Sequence, residues 1–262
     1  MKLLSESFAE AKKSMHNRKH GVRTGITTPF SALNNFIFEL APGDLCLVGG
    51  RPSQGKTAFV LNIAAFIART DKKVLFFSLE MSAEQLAYRI LLCGFSDEAL
   101  EVLGRNIVIE DAHCYTIEAI VQQTETASKH LGDIALIVVD YVQLLSGRSV
   151  KSENSTRDSD LGQASAQLKQ LAKKHKVPVL ALVQLNRQVE MRTNKRPIMS
   201  DIRESGSLEQ DADVILMIYR PEYYKSNERP GEADIIVSKN RNGPTGDFSL
   251  AFDAEKMLFK DF

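Results

Sequence analysis

Residues Gly50-Arg51-Pro52-Ser53-Gln54-Gly55-Lys56-Thr57 follow an apolar run at 45–49, and an apolar helical pattern continues to residue 69. The pattern G-x-x-x-x-G-K-[ST] between a strand and a helix is typical of a phosphate-binding loop. Its glycines let successive backbone N–H groups point at phosphate oxygens, beside the positive end of the helix. Lys56 then reaches the β- and γ-phosphates, and the Thr57 hydroxyl binds Mg²⁺. An accidental glycine-rich turn is the alternative, which the flanking strand and helix disfavour. We therefore predict that residues 50–58, from Gly50 to Ala58, bind a nucleotide.

Outward from this loop, short apolar runs alternate with helical patterns. Runs rich in Val, Ile and Leu are typical of strands that are buried on both faces, and strands separated by helices predict a parallel sheet. A pair of strands at 234–238 and 248–252, joined by a turn that contains Asn242-Gly243, predicts a C-terminal β-hairpin. The predicted fold is α/β, with a mostly parallel twisted sheet flanked by helices. The predicted strands are 45–49, 74–79, 134–140, 177–185 and 214–219, and the predicted helices are 56–69, 82–93, 116–131 and 160–175.

Three polar residues at the ends of other predicted strands complete a candidate catalytic site. Asp140 ends an apolar strand, and a carboxylate there can hold the Mg²⁺ shell. The alternative for Asp140 is that it merely terminates the strand. Glu80 follows the strand at 74–79 and is a candidate base, although a carboxylate before a helix is also a common cap. Gln184 lies near the end of the fourth strand, where it could sense the γ-phosphate or orient the attacking water.

Composition limits the function classes. The 262 residues carry 33 Lys+Arg and 33 Asp+Glu, a formal net charge of zero. This balance excludes a uniformly basic protein that coats nucleic acid, but it leaves room for a small local patch. Three widely spaced cysteines predict neither a disulfide framework nor a structural metal site. No apolar stretch approaches the length of a membrane span. We expect a cytoplasmic protein that has no membrane partner.

The first 20 residues form a separate predicted element. Leu4, Phe8, Ala11 and Met15 recur at helical spacing and give one apolar stripe. A helix this short needs a docking surface, which is either its own domain or a neighbouring subunit.

Two polar stretches, 146–159 and 186–201, leave the carboxyl ends of strands, where open α/β sheets bind ligands.

Six motifs occur in a fixed order along the chain. They are GRPSQGKT at 50–57, SLEMS at 78–82, LIVVDYVQLL at 136–145, QLNR at 184–187, DIRESGSLEQDAD at 201–213 and SKNRNGPTG at 238–246. From about Gly21 to the C-terminus, this order resembles the RecA-like motor domain of DnaB-type replicative DNA helicases. The last two motifs distinguish that family from generic P-loop ATPases better than the phosphate-binding loop does.

The resemblance implies a RecA-like P-loop NTPase at 21–262, preceded by a linker or docking helix at 1–20. It also implies a ring-shaped hexamer that binds ATP and Mg²⁺ between adjacent motor domains. Lys56 and Thr57 would bind the phosphates and the metal, Asp140 would complete the metal site, and Glu80 would be the catalytic base. Lys239 and Arg241 match residues that a neighbouring subunit inserts toward the γ-phosphate. Such a cation in trans increases the rate by roughly 10³–10⁵.

The resemblance further implies single-stranded DNA as a partner. Arg203, Glu204 and Gly206 match the loop that grips the DNA backbone in the central channel. A second basic group precedes this loop and has two open interpretations, a channel lining or a solvated surface. Its members are Arg187, Arg192, Lys195 and Arg196. Duplex unwinding of the 5'-3' type, primase and a helicase loader are implied by the resemblance alone.

Departures from the family pattern concern assembly. The family has an N-terminal collar domain ahead of the linker, whereas this chain begins at the linker position. We therefore expect ATP binding to be retained, and leave autonomous hexamer assembly and efficient unwinding open. Val183 replaces a common serine, and Gly162-Gln163-Ala164 replaces an acidic helix start.

Two other functions share this core: a RecA- or RadA-like recombinase, and an ATP-binding assembly or loading factor with little turnover.

Overall fold

The apolar runs form the strands of one sheet in the computed structural model, which describes residues 4–112, 116–147, 157–202 and 206–262. Among these residues the strands are β1 Leu45–Gly50, β2 Lys73–Ser78, β3 Ile107–Glu110, β4 Ile134–Asp140, β5 Val179–Gln184, β6 Val214–Tyr219, β7 Glu232–Asn240, β8 Gly246–Asp253 and β9 Leu258–Lys260. Their order across the sheet is β3-β2-β4-β5-β1-β6-β7-β8-β9. The pairs from β3 to β6 are parallel, whereas β7, β8 and β9 add antiparallel. The predicted α/β fold with a mostly parallel sheet is confirmed.

Helices connect the strands and cover both faces of the sheet. The α-helices are α1 Leu4–Lys19, α2 Ser31–Ile37, α3 Lys56–Ala68, α4 Ala83–Leu92, α5 Asp97–Asn106, α6 Ile117–Leu131, α7 Arg157–His175, α8 Gly206–Asp211 and α9 Pro221–Tyr224. Short 3₁₀ helices occur at Val142–Gly147, Arg187–Met191 and Met199–Asp201. Within the described residues, no helix is both long and apolar enough to cross a bilayer.

Alternation along the central strand divides the core into two layers. Cys46 and Val48 of β1 belong to the cluster that contains the apolar residues of α3, whereas Leu45 and Leu47 belong to the cluster that contains those of α7. This follows from the two-residue period of a strand, which sends successive side chains to opposite faces. Cys46 is fully buried as a small apolar residue. The two layers hold the carboxyl ends of the parallel strands at one edge, where the phosphate-binding loop begins.

Most predicted boundaries agree with the structure to within three residues, but several short elements were missed. The Ser82–Gln85 capping box at the start of α4 is present, with the Gln85 N–H donating to Ser82 Oγ over 3.2 Å. The α-helices and strands that the sequence did not predict are α2, α5, α8, α9, β3 and β9. The two strands among them have only four and three residues. Runs of this length carry too few periods for an alternation signal.

The C-terminal hairpin is confirmed and is longer than predicted. Strands β7 and β8 pair antiparallel, and β9 adds to β8. Phe252 of β8 and Phe259 of β9 lie with ring centroids 4.5 Å apart, and Phe259 meets Phe59 of α3 edge-on at 5.4 Å. The hairpin is therefore packed against the helix that follows the phosphate-binding loop.

The stripe on α1 is exposed. Leu4, Phe8 and Met15 are 70%, 55% and 73% accessible. In this structure these three side chains are therefore not packed against the helix's own domain. The division at residue 20 between a linker and a motor domain remains a prediction.

The two long polar stretches differ in what the structure describes. Residues 148–156 of the first stretch lie outside the described residues. The second, at 186–201, contains two 3₁₀ helices, and its ends are tied together by the Leu185–Ile202 bridge. It is thus a folded loop rather than an unstructured one.

Candidate nucleotide-binding site

The phosphate-binding loop has the strand–loop–helix geometry that the sequence predicted. It leaves β1 at Gly50 and enters α3 at Lys56, with Gly55 in a left-handed conformation (φ 96°) at the helix N-cap. A Cβ on Gly55 would lie 3.0 Å from Cζ of Phe259, and one on Gly50 would lie 3.0 Å from Cγ of Lys56. Gly55 is therefore favoured by its backbone conformation, and a Cβ at either position would require the neighbouring side chain to shift.

Thr57 and Asp140 form the candidate metal-binding pair. The Thr57 hydroxyl donates to Asp140 Oδ2 over 2.8 Å, which joins the first turn of α3 to the end of β4. Asp140 is only 1% exposed, and burial raises its pKa to about 6. No cluster of three or more His, Cys, Asp or Glu side chains suited to a metal occurs in the described part of the chain. Two hard oxygen donors without further protein ligands fit Mg²⁺, which commonly keeps its waters and shares phosphate oxygens with a substrate.

Lys56 is partly buried between the loop and the strand ends. Its Nζ donates to the Arg51 carbonyl oxygen over 3.2 Å. Burial lowers the pKa of Lys56 to about 8, although attraction to Asp140 and Glu80 opposes this change. A phosphate bound in the cleft would therefore stabilise this partly buried ammonium, whose hydrogen bond goes to the Arg51 carbonyl.

An open cleft of about 520 Å³ lies beside this loop, a volume that suits a small ligand. Six residues of the predicted binding loop line it, together with Glu80, which is exposed. The six loop residues are Pro52, Ser53, Gly55, Lys56, Thr57 and Ala58. Glu80 thus faces the same space as Lys56 and Thr57, as a base for an attacking water requires.

The remaining three loop residues contribute to the site differently. Gly50, Arg51 and Gln54 do not line the cleft. The Arg51 side chain donates to the Leu185 carbonyl and to Glu190. The buried Gln54 side chain accepts from the backbone N–H of Arg220 over 2.8 Å. The side chains of Arg51 and Gln54 therefore brace the loop.

Several residues that sequence reasoning missed also line the cleft. Gln85 and Arg89 come from α4, at a spacing of four that places them on one helix face. This spacing of Gln85 and Arg89, in the helix that follows Glu80, was a sequence signal that could have identified Arg89. Phe252 and Met257 come from the C-terminal hairpin, which the local sequence could not place beside residues 50–58.

Gln184 lies where β5 runs beside the start of the phosphate-binding loop. It pairs in register with Gly50, and its backbone N–H and C=O both bond to the side chain of Gln143, each over 3.1 Å. It does not line the cleft itself. Its role as a γ-phosphate sensor therefore stays a prediction.

Lys239 and Arg241 lie beside the amino ends of the parallel strands β1 and β6, whereas the phosphate-binding loop follows the carboxyl end of β1. Arg241 bonds to Asp213 Oδ1 over 3.4 Å and to the Gln210 carbonyl. The Lys239 ammonium donates to the Glu209 carbonyl. Asp213 in turn accepts from the N–H of Leu45, the first residue of β1. The two cations thus lie one strand length from the nucleotide cleft of their own chain.

The predicted DNA loop is described only in part. Arg203 and Glu204 lie outside the described residues. Gly206 begins α8 and is exposed, and a Cβ there would meet no atom within 4 Å. Packing therefore does not require a glycine at this position.

The basic group before that loop is largely paired within the chain. The Arg192 guanidinium bonds to Asp201 over 2.6 Å, and Arg196 bonds to Asp234 and Asp247. Lys195 donates to the Glu190 carbonyl over 2.6 Å. In the structure, these three cations support the fold of the 186–202 loop. Arg187 is the exposed first residue of a 3₁₀ helix.

Comparison with known proteins agrees with this geometry. The family model for the DnaB-like helicase C terminal domain matches residues 25–96 and 94–261. The chain is 42% identical to the replicative DNA helicase DnaB of Geobacillus stearothermophilus over 266 residues, which cover 94% of this chain and 58% of that protein. The chain spans 58% to 60% of the length of the first curated relatives that it matches.

Two solved structures share the whole fold. One is described as an ATPase domain, with a TM-score of 0.88, 31% identity and coverage of 100% of this chain and 99% of that one. The other is a DnaB-like replicative helicase described with its interactions with primase, with a TM-score of 0.86, 30% identity and coverage of 100% and 67%. The phosphate-binding loop, the Thr57–Asp140 pair and the family match over nearly the entire chain lead to one conclusion: this chain belongs to the DnaB-like helicase C-terminal domain family.

Proposed function

We propose that this chain is the ATP-hydrolysing motor of a replicative DNA helicase, which moves along single-stranded DNA and unwinds the duplex at the replication fork. The observation that carries the proposal is the convergence of Lys56, Thr57, Asp140 and Glu80 at one sheet edge. Family membership supports the coupling of this chemistry to DNA.

In the proposed reaction, each group of the site has one task. Backbone N–H groups of the loop and Lys56 bind the phosphates, while Thr57 and Asp140 hold Mg²⁺, which neutralises phosphate charge when bound. Glu80 accepts the proton of the water that attacks the γ-phosphorus. The bond to the β-phosphate oxygen breaks, and ADP and phosphate leave. Arg89, which also lines the cleft, supplies a further cation.

We propose that the active assembly is a homo-hexamer held together through the linker helix and the ATP interfaces. The exposed stripe of α1 supports this, because three large apolar side chains face solvent. A complementary apolar groove lies between α4, α5 and β3 and is a candidate acceptor for α1 of the next subunit. Its lining residues are Ala87, Ile90, Leu91, Leu100, Leu103, Gly104, Ile107 and Ile109. The Lys239 and Arg241 cations, distant from their own cleft, would act at the same interface.

For partners, we propose single-stranded DNA at residues 203–206, and primase and a helicase loader as proteins. The primase proposal is supported by the similar helicase that is described together with its interactions with primase. The loader is supported by family membership alone. Because the relatives are replicative DNA helicases, we propose that the chain acts on DNA in the cytoplasm.

Phosphate release, measured with and without single-stranded oligo(dT), tests the function together with a forked-duplex unwinding assay. We expect ATP hydrolysis that DNA stimulates, and its loss in Lys56→Ala. Pairing of homologous duplexes without fork unwinding would identify a recombinase instead. ATP binding without appreciable turnover would identify an assembly or loading factor.

A further inference from the structure

The second residue of the phosphate-binding loop carries a side chain that turns away from the nucleotide cleft. Arg51 is 6% exposed. Its Nη1 donates to the Leu185 carbonyl over 2.8 Å, and its Nε donates to Glu190 Oε1 over 2.9 Å. The backbone N–H of Leu185 also donates to the Gly50 carbonyl over 3.3 Å. Two consecutive loop residues thus hold the segment that follows β5.

That segment forms a closed loop with its own internal bonds. Leu185 pairs with Ile202 in an antiparallel bridge, and the Asn186 N–H donates to the Asp201 carbonyl over 2.7 Å. Asp201 is 7% exposed and accepts from Arg192 over 2.6 Å. The loop is thus closed at its ends by the Leu185–Ile202 bridge and bonded across its middle by the Arg192–Asp201 pair.

The far end of this loop meets the candidate DNA-binding residues. Ile202 is 2% exposed and directly precedes residues 203–206. Glu190 is the one carboxylate that Arg51 contacts among the described ion pairs. The bonds from Arg51 to Leu185 and Glu190, together with the Leu185–Ile202 bridge, therefore form one continuous series of contacts from the phosphate-binding loop to the residue that precedes the DNA segment.

We propose that Arg51 and Glu190 are a positioning pair that couples nucleotide occupancy to DNA binding. The inference rests on the proposed function, since it assigns the coupling of that same site. Neither side chain lines the cleft, so the pair acts through the loop 185–202 and not on the reacting atoms. The guanidinium is required because it makes both bonds from one rigid plane.

Substitution of Glu190 tests the coupling, because its side chain is 38% exposed and lies outside the catalytic cleft. In Glu190→Ala, we expect ATP hydrolysis without DNA to stay within about twofold of wild type, and the stimulation by oligo(dT) to fall about fivefold or more. Glu190→Gln can still accept the bond from Arg51 without the charge, so its stimulation should lie between the two. The change in oligo(dT) affinity that a non-hydrolysable ATP analogue causes should follow the same order. It should be largest in wild type, intermediate in Glu190→Gln and smallest in Glu190→Ala.

The control is Glu228→Ala, which removes an exposed carboxylate that is paired with Lys225 at 3.2 Å and has no ion pair with Arg51 among the described residues. It should retain full stimulation. Wild-type stimulation in both Glu190 variants would overturn the coupling role while leaving the proposed function intact. Absence of DNA stimulation in the wild-type chain would overturn the proposed function and the coupling role together. Glu190→Gln preserves side-chain shape, so the test stands even where Glu190→Ala does not fold.

Discussion

Arg241 should act only on the nucleotide of a neighbouring subunit. Arg241 bonds to Asp213 beside the start of β1, whereas the phosphate-binding loop leaves the other end of that strand. The six residues of β1 separate these points by about 20 Å at about 3.3 Å per residue. No arginine side chain spans that distance. In the proposed hexamer, Arg241→Ala and Glu80→Gln therefore remove parts of one site that two different chains supply.

The size of the expected recovery follows from counting interfaces. Each variant alone should lose roughly 10³-fold or more in turnover. In a ring, each interface combines Glu80 of one chain with Arg241 of the next. Random mixing of the two variants at equal amounts restores both groups at about one quarter of the interfaces. Turnover should then rise to a substantial fraction of the wild-type value, up to about one quarter.

Phosphate release at fixed total protein measures this recovery across a range of mixing ratios, with native mass spectrometry to verify mixed rings. As a control, Arg241→Ala is mixed with a chain that carries both substitutions. That mixture contains no intact Arg241 and should stay inactive. Verified mixed rings whose turnover equals the sum of the two parents would refute action in trans.

Three further predictions concern single positions. Thr57→Val removes the hydroxyl that donates to Asp140 Oδ2. Mg²⁺-dependent nucleotide affinity should fall, and the free energy of unfolding should drop by about 1–3 kcal/mol. Calorimetry should find both quantities restored in Thr57→Ser. Gly55→Ala places a Cβ against Phe259 at a position with left-handed backbone conformation, so the free energy of unfolding should fall by about 1–3 kcal/mol. An unchanged urea unfolding curve would contradict this. Burial and then Asp213 raise the pKa of Asp44 to about 6, so the folded state holds its proton more tightly than the unfolded state. Its contribution to stability therefore decreases as pH rises from about 4 to 6. At pH 7, the free energy of unfolding of Asp44→Asn should exceed that of wild type by about 1–2 kcal/mol, after allowance for the partial exposure of the side chain. At pH 4 the two should differ little.

The sequence predicted the site wherever the strand order was irrelevant. A carboxylate at the end of any parallel strand reaches the same edge as the phosphate-binding loop, so Asp140 and Glu80 could be placed from periodicity alone. Thr57 and Asp140 are 83 residues apart in the chain, but both positions follow from local strand and helix signals.

The rest of the cleft could not be predicted, because it depends on which strands are neighbours. Phe252 and Met257 reach the cleft only because β7, β8 and β9 extend the sheet beyond β6. Short strands such as β3 and β9 owe their existence to pairing with a formed neighbour, and no run of three or four residues specifies such pairing.

The sequence by itself determined the chemistry: a glycine-rich loop, a lysine, a hydroxyl and carboxylates at strand ends. These depend on local backbone freedom and on residue type, which the chain carries at each position. Only the tertiary structure decided where side chains of uncertain direction point. It turned Arg51 away from the cleft toward Glu190, paired Arg192 and Arg196 with buried carboxylates, and left the stripe of α1 exposed. The physical reason is that burial and ion pairing depend on neighbours distant in sequence, which become adjacent only when the sheet assembles.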